Sequence, residues 1–242
     1  MSPGRSSRIT RKIVTHPSAV LLVVQLIGVL LYPFIEQTAL GRGIFEAFGA
    51  LVLIFAIWSV RDSPTPTWVA IVLAVVASTL SIADAVNHSP TLQLWSAAIH
   101  AVFYFAAAIS LMTYMLSDRK VTRDELFATG ATFTLVAWAF AYVFVILQIL
   151  QPGCFIAAVN PDEPRTWTEL LFLSFTNLSS TGLSDIVPIT AHARSVVMIE
   201  QLAGLGYVAL IVSRLVGLTL TGRVSASDSP RAEAQTQDAE QL

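Results

Sequence analysis

Thr166-Trp167-Thr168-Glu169, then Leu170-Leu171-Phe172-Leu173-Ser174-Phe175-Thr176-Asn177-Leu178, then Ser179-Ser180-Thr181-Gly182-Leu183-Ser184-Asp185-Ile186-Val187-Pro188: this stretch decides how the rest of the chain is read. Thr166 and Glu169 have the spacing of a capping box, which predicts a helix starting there and running about three turns to Leu178. The segment from Leu170 to Leu178 is apolar but about half the length needed to cross a bilayer. That is how a re-entrant element buried inside protein reads. The Ser/Thr/Gly run after it has little helix propensity, and extended backbone at membrane depth is tolerated only where it lines a cavity. A helix dipping in from outside points its C-terminal end, carrying about half a negative elementary charge, toward the membrane centre. Several copies around an axis would stabilise a dehydrated cation there.

The flanking sequence supplies the membrane. Of 242 residues, 55 % are hydrophobic and only 12 % charged, and mean hydropathy is +0.68. Charge is about half that of an ordinary soluble domain, so an integral membrane protein is expected, with lipid as its surroundings. Six apolar stretches suit spanning helices: Ser18 to Ile35, Ile44 to Val60, Trp68 to Val86, Leu94 to Leu116, Phe127 to Leu150 and Ser195 to Leu220. The expected fold is therefore an all-α membrane protein of six transmembrane helices, with one re-entrant pore helix and filter loop between the fifth and sixth. Ile35-Glu36-Gln37-Thr38-Ala39-Leu40 shows no Ala-x-Ala cleavage pattern, so the first span is expected to be retained.

Six crossings put both termini on one side, and basic residues choose which. Arg5, Arg8, Arg11, Lys12, Arg61, Arg119, Lys120, Arg123, Arg214, Arg223 and Arg231 fall together, against Arg42, Arg165 and Arg194 opposite. The larger set marks the cytoplasmic side, so a multi-pass cell-membrane protein with both termini cytoplasmic is expected. Trp58, Trp68 and Trp95 lie near predicted span ends, as an interfacial aromatic belt requires. The organisation expected is a basic N-terminus over 1–17, a four-helix membrane domain over 18–117, a linker over 118–125, a pore domain over 126–220 and a disordered tail over 221–242. A net charge of −2 without a basic patch gives no reason to expect a nucleic-acid partner. The single cysteine, Cys154, cannot close an intrachain disulfide, though two copies of the chain would be able to cross-link through it.

From about Thr166 to Gly217 the chain resembles the potassium-channel pore family, whose signature is Thr-Thr-Val-Gly-Tyr-Gly-Asp with a Pro a few residues on. In that likeness Ser179 and Ser180 stand at the two Thr positions, Thr181 at Val, Gly182 at the first Gly, Leu183 at Tyr, Ser184 at the second Gly and Asp185 at the outer-mouth Asp. Phe172 and Leu173 replace the usual aromatic cuff pair. Arg194 falls where such pores often carry a basic residue, and Gly204 occupies the position of the gating-hinge glycine. The resemblance implies a homotetramer in which Ser180, Thr181, Gly182 and Leu183 supply the oxygens that replace potassium's water shell; no cofactor other than the permeant K+ is implied. Ser184 is the main departure. A left-handed backbone at that residue would cost roughly 1–2 kcal/mol per chain, on the order of 4–8 kcal/mol per tetramer, and relax discrimination against sodium.

Voltage sensing needs about three to four basic residues at membrane depth in one helix, and Leu94 to Leu116 contains none. Besides Arg214, counted above with the cytoplasmic set, four ionisable residues fall within predicted spans: Glu46, Asp84, His100 and Glu200. Asp84 and His100 fall where they could share a depth, as a titratable proton-sensing pair, as a buried polar pair, or as residues snorkelling to the interface. Glu200 is expected to face the back of the pore helix and bond the hydroxyl of Ser179 or Thr176, supporting the pore with Gly204 and Arg194. An intramembrane serine protease is the enzyme alternative, but Gly182-Leu183-Ser184-Asp185 lacks the second glycine of a Gly-x-Ser-Gly nucleophile, and no feature ties His100 or His192 to Ser184. A secondary transporter would show paired broken helices or an inverted repeat, and neither is evident. A non-enzymatic channel is the expectation.

Overall fold

A computed structural model describes residues 17–35, 52–58, 67–87, 89–117 and 123–240. The chain is mostly helical. Four long helices come first: α1 (Pro17–Ile35), α2 (Thr67–Asn87), α3 (Pro90–Ser117) and α4 (Arg123–Leu150). Strand β1 (Phe155–Ala157), the short helix α5 (Trp167–Leu178), strand β2 (Ile186–Pro188) and helix α6 (Ala191–Glu240) follow. Pro17 and Pro90 open their helices, where a missing N–H costs nothing and a fixed φ favours the first turn. The first turn of α1 also meets a carboxylate: Ser18 Oγ donates to Asp124 Oδ2 at 2.9 Å, and Ser18 N donates to Oδ1 at 3.3 Å. This joins α1 to α4.

Among the described residues, three helical segments are long and apolar enough to cross a membrane, Pro90–Ser117, Asp124–Leu150 and Ala191–Arg214, coinciding with the fourth, fifth and sixth expected spans. The first and third expected spans coincide with α1 and α2, whose apolar stretches, Pro17–Leu31 and Trp68–Asp84, are shorter. The second lies mostly outside the described residues, although 52–58 are helical; Glu46 also lies outside them. Helix α6 continues over 221–240, the stretch expected to be a disordered tail.

Helix α3 packs against α4, with α2 outside α3 and α1 also on α4, while α5 sits against both α4 and α6. Small residues make these contacts close. Ala128, Ala131, Ala137, Ala139 and Ala141 of α4 are buried, and in a bilayer, where burying apolar surface drives little, such residues let backbones approach for dispersion contact. One core gathers Leu21, Phe103, Tyr104, Leu111, Leu135 and Trp138. A second gathers Phe144, Cys154, Phe155, Leu170, Leu173 and Val197 around the outer half of α5.

The all-α expectation needs one correction. β1 and β2 pair antiparallel, Phe155 opposite Pro188, Ile156 opposite Val187 and Ala157 opposite Ile186. Three residues are too few to show alternation in sequence. The ribbon has a definite effect: it closes the chain before α5 onto the chain after it, so helix and returning loop hang from one base.

Candidate functional site

Helix α5 begins as its sequence predicts. Thr166 Oγ1 accepts from Glu169 N at 3.3 Å, and Glu169 Oε2 accepts from Thr166 N at 2.7 Å, a complete capping box. Just before it, Gln148 of α4 grips both backbone groups of Arg165: Arg165 N donates to Gln148 Oε1 at 2.8 Å, and Gln148 Nε2 donates to Arg165 O at 2.9 Å. The Arg165 side chain is buried, donating to the carbonyls of Val159, Asn160 and Glu163 and pairing with Glu169 at 3.3 Å. Gln148 was missed in the sequence, although an amide near the end of an apolar span is a legible signal.

The end of α5 determines how the Ser/Thr/Gly run is displayed. Ser179 is the C-cap, and Ser180 follows with φ +59°, in the left-handed region. Ser180 N donates to Asn177 O at 3.0 Å and Thr181 N to Thr176 O at 3.0 Å, the bond pair of a Schellman cap. Gly182, also left-handed at φ +64°, adds a third: its N–H reaches Thr176 O at 3.1 Å. In a planar trans peptide, C=O points opposite to the N–H of the same unit. With the N–H groups of Ser180, Thr181 and Gly182 turned into the helix, the carbonyls of Ser179, Ser180 and Thr181 turn away from it.

Of the expected set, Ser180 to Leu183, this row contains Ser180 and Thr181, and it adds Ser179. The carbonyls of Gly182 and Leu183 are not oriented by such bonds. Ser179, Ser180, Thr181, Gly182 and Leu183 are all exposed on the single chain, Leu183 at 78 %. Strain also sits elsewhere than expected: Ser184 does not have a positive φ, and its Oγ accepts from Ile186 N at 3.1 Å in a local turn. The residue bearing the left-handed cost is Ser180, because it occupies the position after the helix cap. Asp185 is exposed beside this turn.

Behind the run, α5 and α6 meet at two points four residues apart on each helix. Ser174 Oγ contacts Glu200 Oε1 and donates to Ala137 O of α4 at 2.8 Å. The partner of Glu200 is thus Ser174, not Ser179 or Thr176, whose hydroxyls bond locally to Thr176 O and Leu173 O. One turn further, a Cβ on Gly204 would lie 2.0 Å from Leu178 O. Gly204 therefore seats the last turn of α5, a close approach that requires glycine. Arg194 is outside this contact, its Nε donating to Pro188 O at 3.1 Å. Phe172 is half-exposed, while Leu173 is buried in the second core.

Two other residues lie away from this site. His100 Nδ1 donates to Ser96 O at 2.8 Å, and its ring stacks on Tyr142 at 4.7 Å, so its contacts lie within the α3–α4 packing and not with Asp84. Cys154 is 0 % exposed within its own chain, so it is not displayed for cross-linking to a second copy. Burial pushes its thiol above the usual range.

Residues 130–220 match the family model described as an ion channel. The match runs from Gly130 of α4 through the ribbon, α5 and the Ser/Thr/Gly run to Leu220 of α6. It supports an ion-channel domain within a mostly helical membrane protein. No curated protein and no solved structure matches the chain.

Proposed function

We propose that four copies of this chain surround one axis and form a passive potassium-conducting channel, with Ser179 to Asp185 as its filter and mouth. The observation that carries this reading is the carbonyl row of Ser179, Ser180 and Thr181, turned from the helix on an exposed face. Carbonyl oxygens in such a row replace the hydration shell of a cation, and assembly of exposed edges gives the ion oxygens on all sides. Ser180, Thr181, Gly182 and Leu183 are the residues proposed to hold K+, the Ser180 and Thr181 carbonyls being those already oriented. Helix α6 supports assembly: Met198, Ile199, Leu202, Leu205, Val208 and Val212 are exposed, a length of apolar surface available to neighbouring copies and to lipid. Glu200 and Gly204 support the run from behind, and Arg194 supports its return at Pro188.

The channel sits in the cell membrane with six crossings and both termini cytoplasmic, in the orientation given by the basic residues. It does not sense voltage, since α3 lacks gating charges. The test is reversal potentials of the purified chain in bilayers bathed by potassium and sodium mixtures. A reversal potential following the potassium gradient is expected; absence of current from a verified tetramer overturns the reading.

A further inference from the structure

The contact behind the pore helix carries an inference that rests on the conduction reading and deepens it. Ser174 Oγ has two oxygen neighbours, the Ala137 carbonyl at 2.8 Å and Glu200 Oε1. A carbonyl can only accept, and a hydroxyl has one proton to give. With that proton given to Ala137, the contact between Ser174 and Glu200 takes its proton from Glu200; with it given to Glu200, the carboxyl oxygen only accepts and a carboxylate is buried there. The surroundings favour the first arrangement. Glu200 is 0 % exposed; besides Ser174, the polar side chain facing its carboxyl is the neutral amide of Asn177, and Oε2 and Asn177 Nδ2 are both buried without a well-formed hydrogen bond. Among the described residues, the ion pairs Arg165–Glu169 and Arg214–Glu125 do not involve it. A carboxylate stranded so would be far more costly to bury than a neutral acid.

We propose that Glu200 is a positioning residue acting as an uncharged carboxylic acid. It donates to Ser174, which donates to Ala137, so one chain of hydrogen bonds ties α6 to α5 and α5 to α4. Four residues on, Gly204 receives Leu178 O, so the polar relay and the steric seat together fix α5 lengthwise against α6. That fixes the depth of the carbonyl row that follows Leu178. Loss of the relay releases the row without touching any oxygen proposed to meet the ion.

The test uses the full chain in proteoliposomes, read by infrared spectroscopy and by ion selectivity. The difference spectrum between wild type and Glu200→Gln at neutral pH is expected to contain a protonated-carboxyl C=O band, and Ser174→Ala is expected to shift that band. Glu200→Gln, whose amide can still donate to Ser174, keeps wild-type selectivity. Glu200→Ala and Ser174→Ala lower the potassium-to-sodium permeability ratio by roughly tenfold, and combining them lowers it no further. A difference spectrum with carboxylate bands alone overturns the proposal, as does a band that Ser174→Ala leaves in place. Should Glu200→Gln fail to assemble, the Ser174→Ala spectrum decides on its own. A wild-type chain that carries no current fails the conduction reading while the infrared band still reports on Glu200; current without the band fails this proposal alone.

Discussion

Ser180 occupies a backbone conformation that glycine adopts freely, because the Schellman cap of α5 requires a left-handed residue directly after Ser179. Ser180→Gly is expected to stabilise the chain by about 1 kcal/mol, seen as a higher thermal midpoint, whereas Ser180→Val is expected to lower it. A lower midpoint for the glycine variant would show that the Ser180 hydroxyl outweighs the strain. Gly204 presents the opposite case, needing glycine for space. A hinge and a seat predict different outcomes for Gly204→Ala: a hinge variant keeps its stability and changes its opening. With Leu178 O 2.0 Å from the new carbon, one helix must move, at a cost of about 1–3 kcal/mol. Both the melting temperature and ion selectivity are expected to fall. Cys154 lies among Phe144, Phe155 and Leu170, and burial holds its thiol protonated, so the reactive thiolate is scarce. Maleimide is expected to label it only after denaturation, and non-reducing gels to show no cross-linked dimer.

Among the elements, α5 was the most legible because its signals are local. A capping box at Thr166 and Glu169 and a nine-residue, mainly apolar run fix its start and length without reference to another segment. Even so, the stronger hold on its start is tertiary. Gln148→Leu leaves both the N–H and C=O of Arg165 without their partner, a loss of about 2–3 kcal/mol. Thr166→Ala removes an exposed cap worth about 1 kcal/mol. Thermal melts of the two variants are expected to rank in that order, and the reverse order would place the main anchor in the cap. Helix α6 was legible as a span but not as a packed surface. Its inward residues are Ala193, Val197, Glu200, Gly204, Tyr207, Ile211 and Arg214, alternating steps of four and three. In a soluble helix such a seam stands out because the other positions are polar. Here the other positions are apolar too, so the seam is marked by its small and polar members. Read that way, Glu200, Gly204 and Arg214 point to one face, and the pairing of Glu200 with Ser174 follows once α5 is laid alongside. The ribbon of β1 and β2 and the Asp84 and His100 placements depend on which segments meet in space, which spacing along the chain does not supply.

Across the whole molecule, α6 is tied to the rest of the protomer at three depths seven residues apart, and the ties descend α4 as they go. Glu200 reaches Ala137 through Ser174, Tyr207 Oη donates to Thr129 O at 2.6 Å, and Arg214 Nη2 pairs with Glu125 Oε2 at 3.1 Å. The last tie lies near the middle of α6, the farthest of the three from the candidate site, and is an ion pair with both side chains largely covered, 13 % and 7 % exposed. Asp124, beside Glu125, holds the first turn of α1 through Ser18, so this corner joins α6, α4 and α1. A covered pair adds little over an apolar replacement of the same shape, but removing one partner strands the other charge at a cost of about 3 kcal/mol or more. Arg214→Gln and Glu125→Gln are therefore each expected to lower the thermal midpoint and to alter the fraction of time the channel conducts, by freeing this part of α6. Combining them is expected to cost less than the sum, since neither charge is then left alone. The exchange Glu125→Arg with Arg214→Glu is expected to recover most of the stability, because it restores the attraction while reversing its direction. If the exchanged chain melts no higher than the single variants, the pair is not what holds α6 to α4 at this depth, and the tie must be assigned to the Tyr207 contact one heptad above.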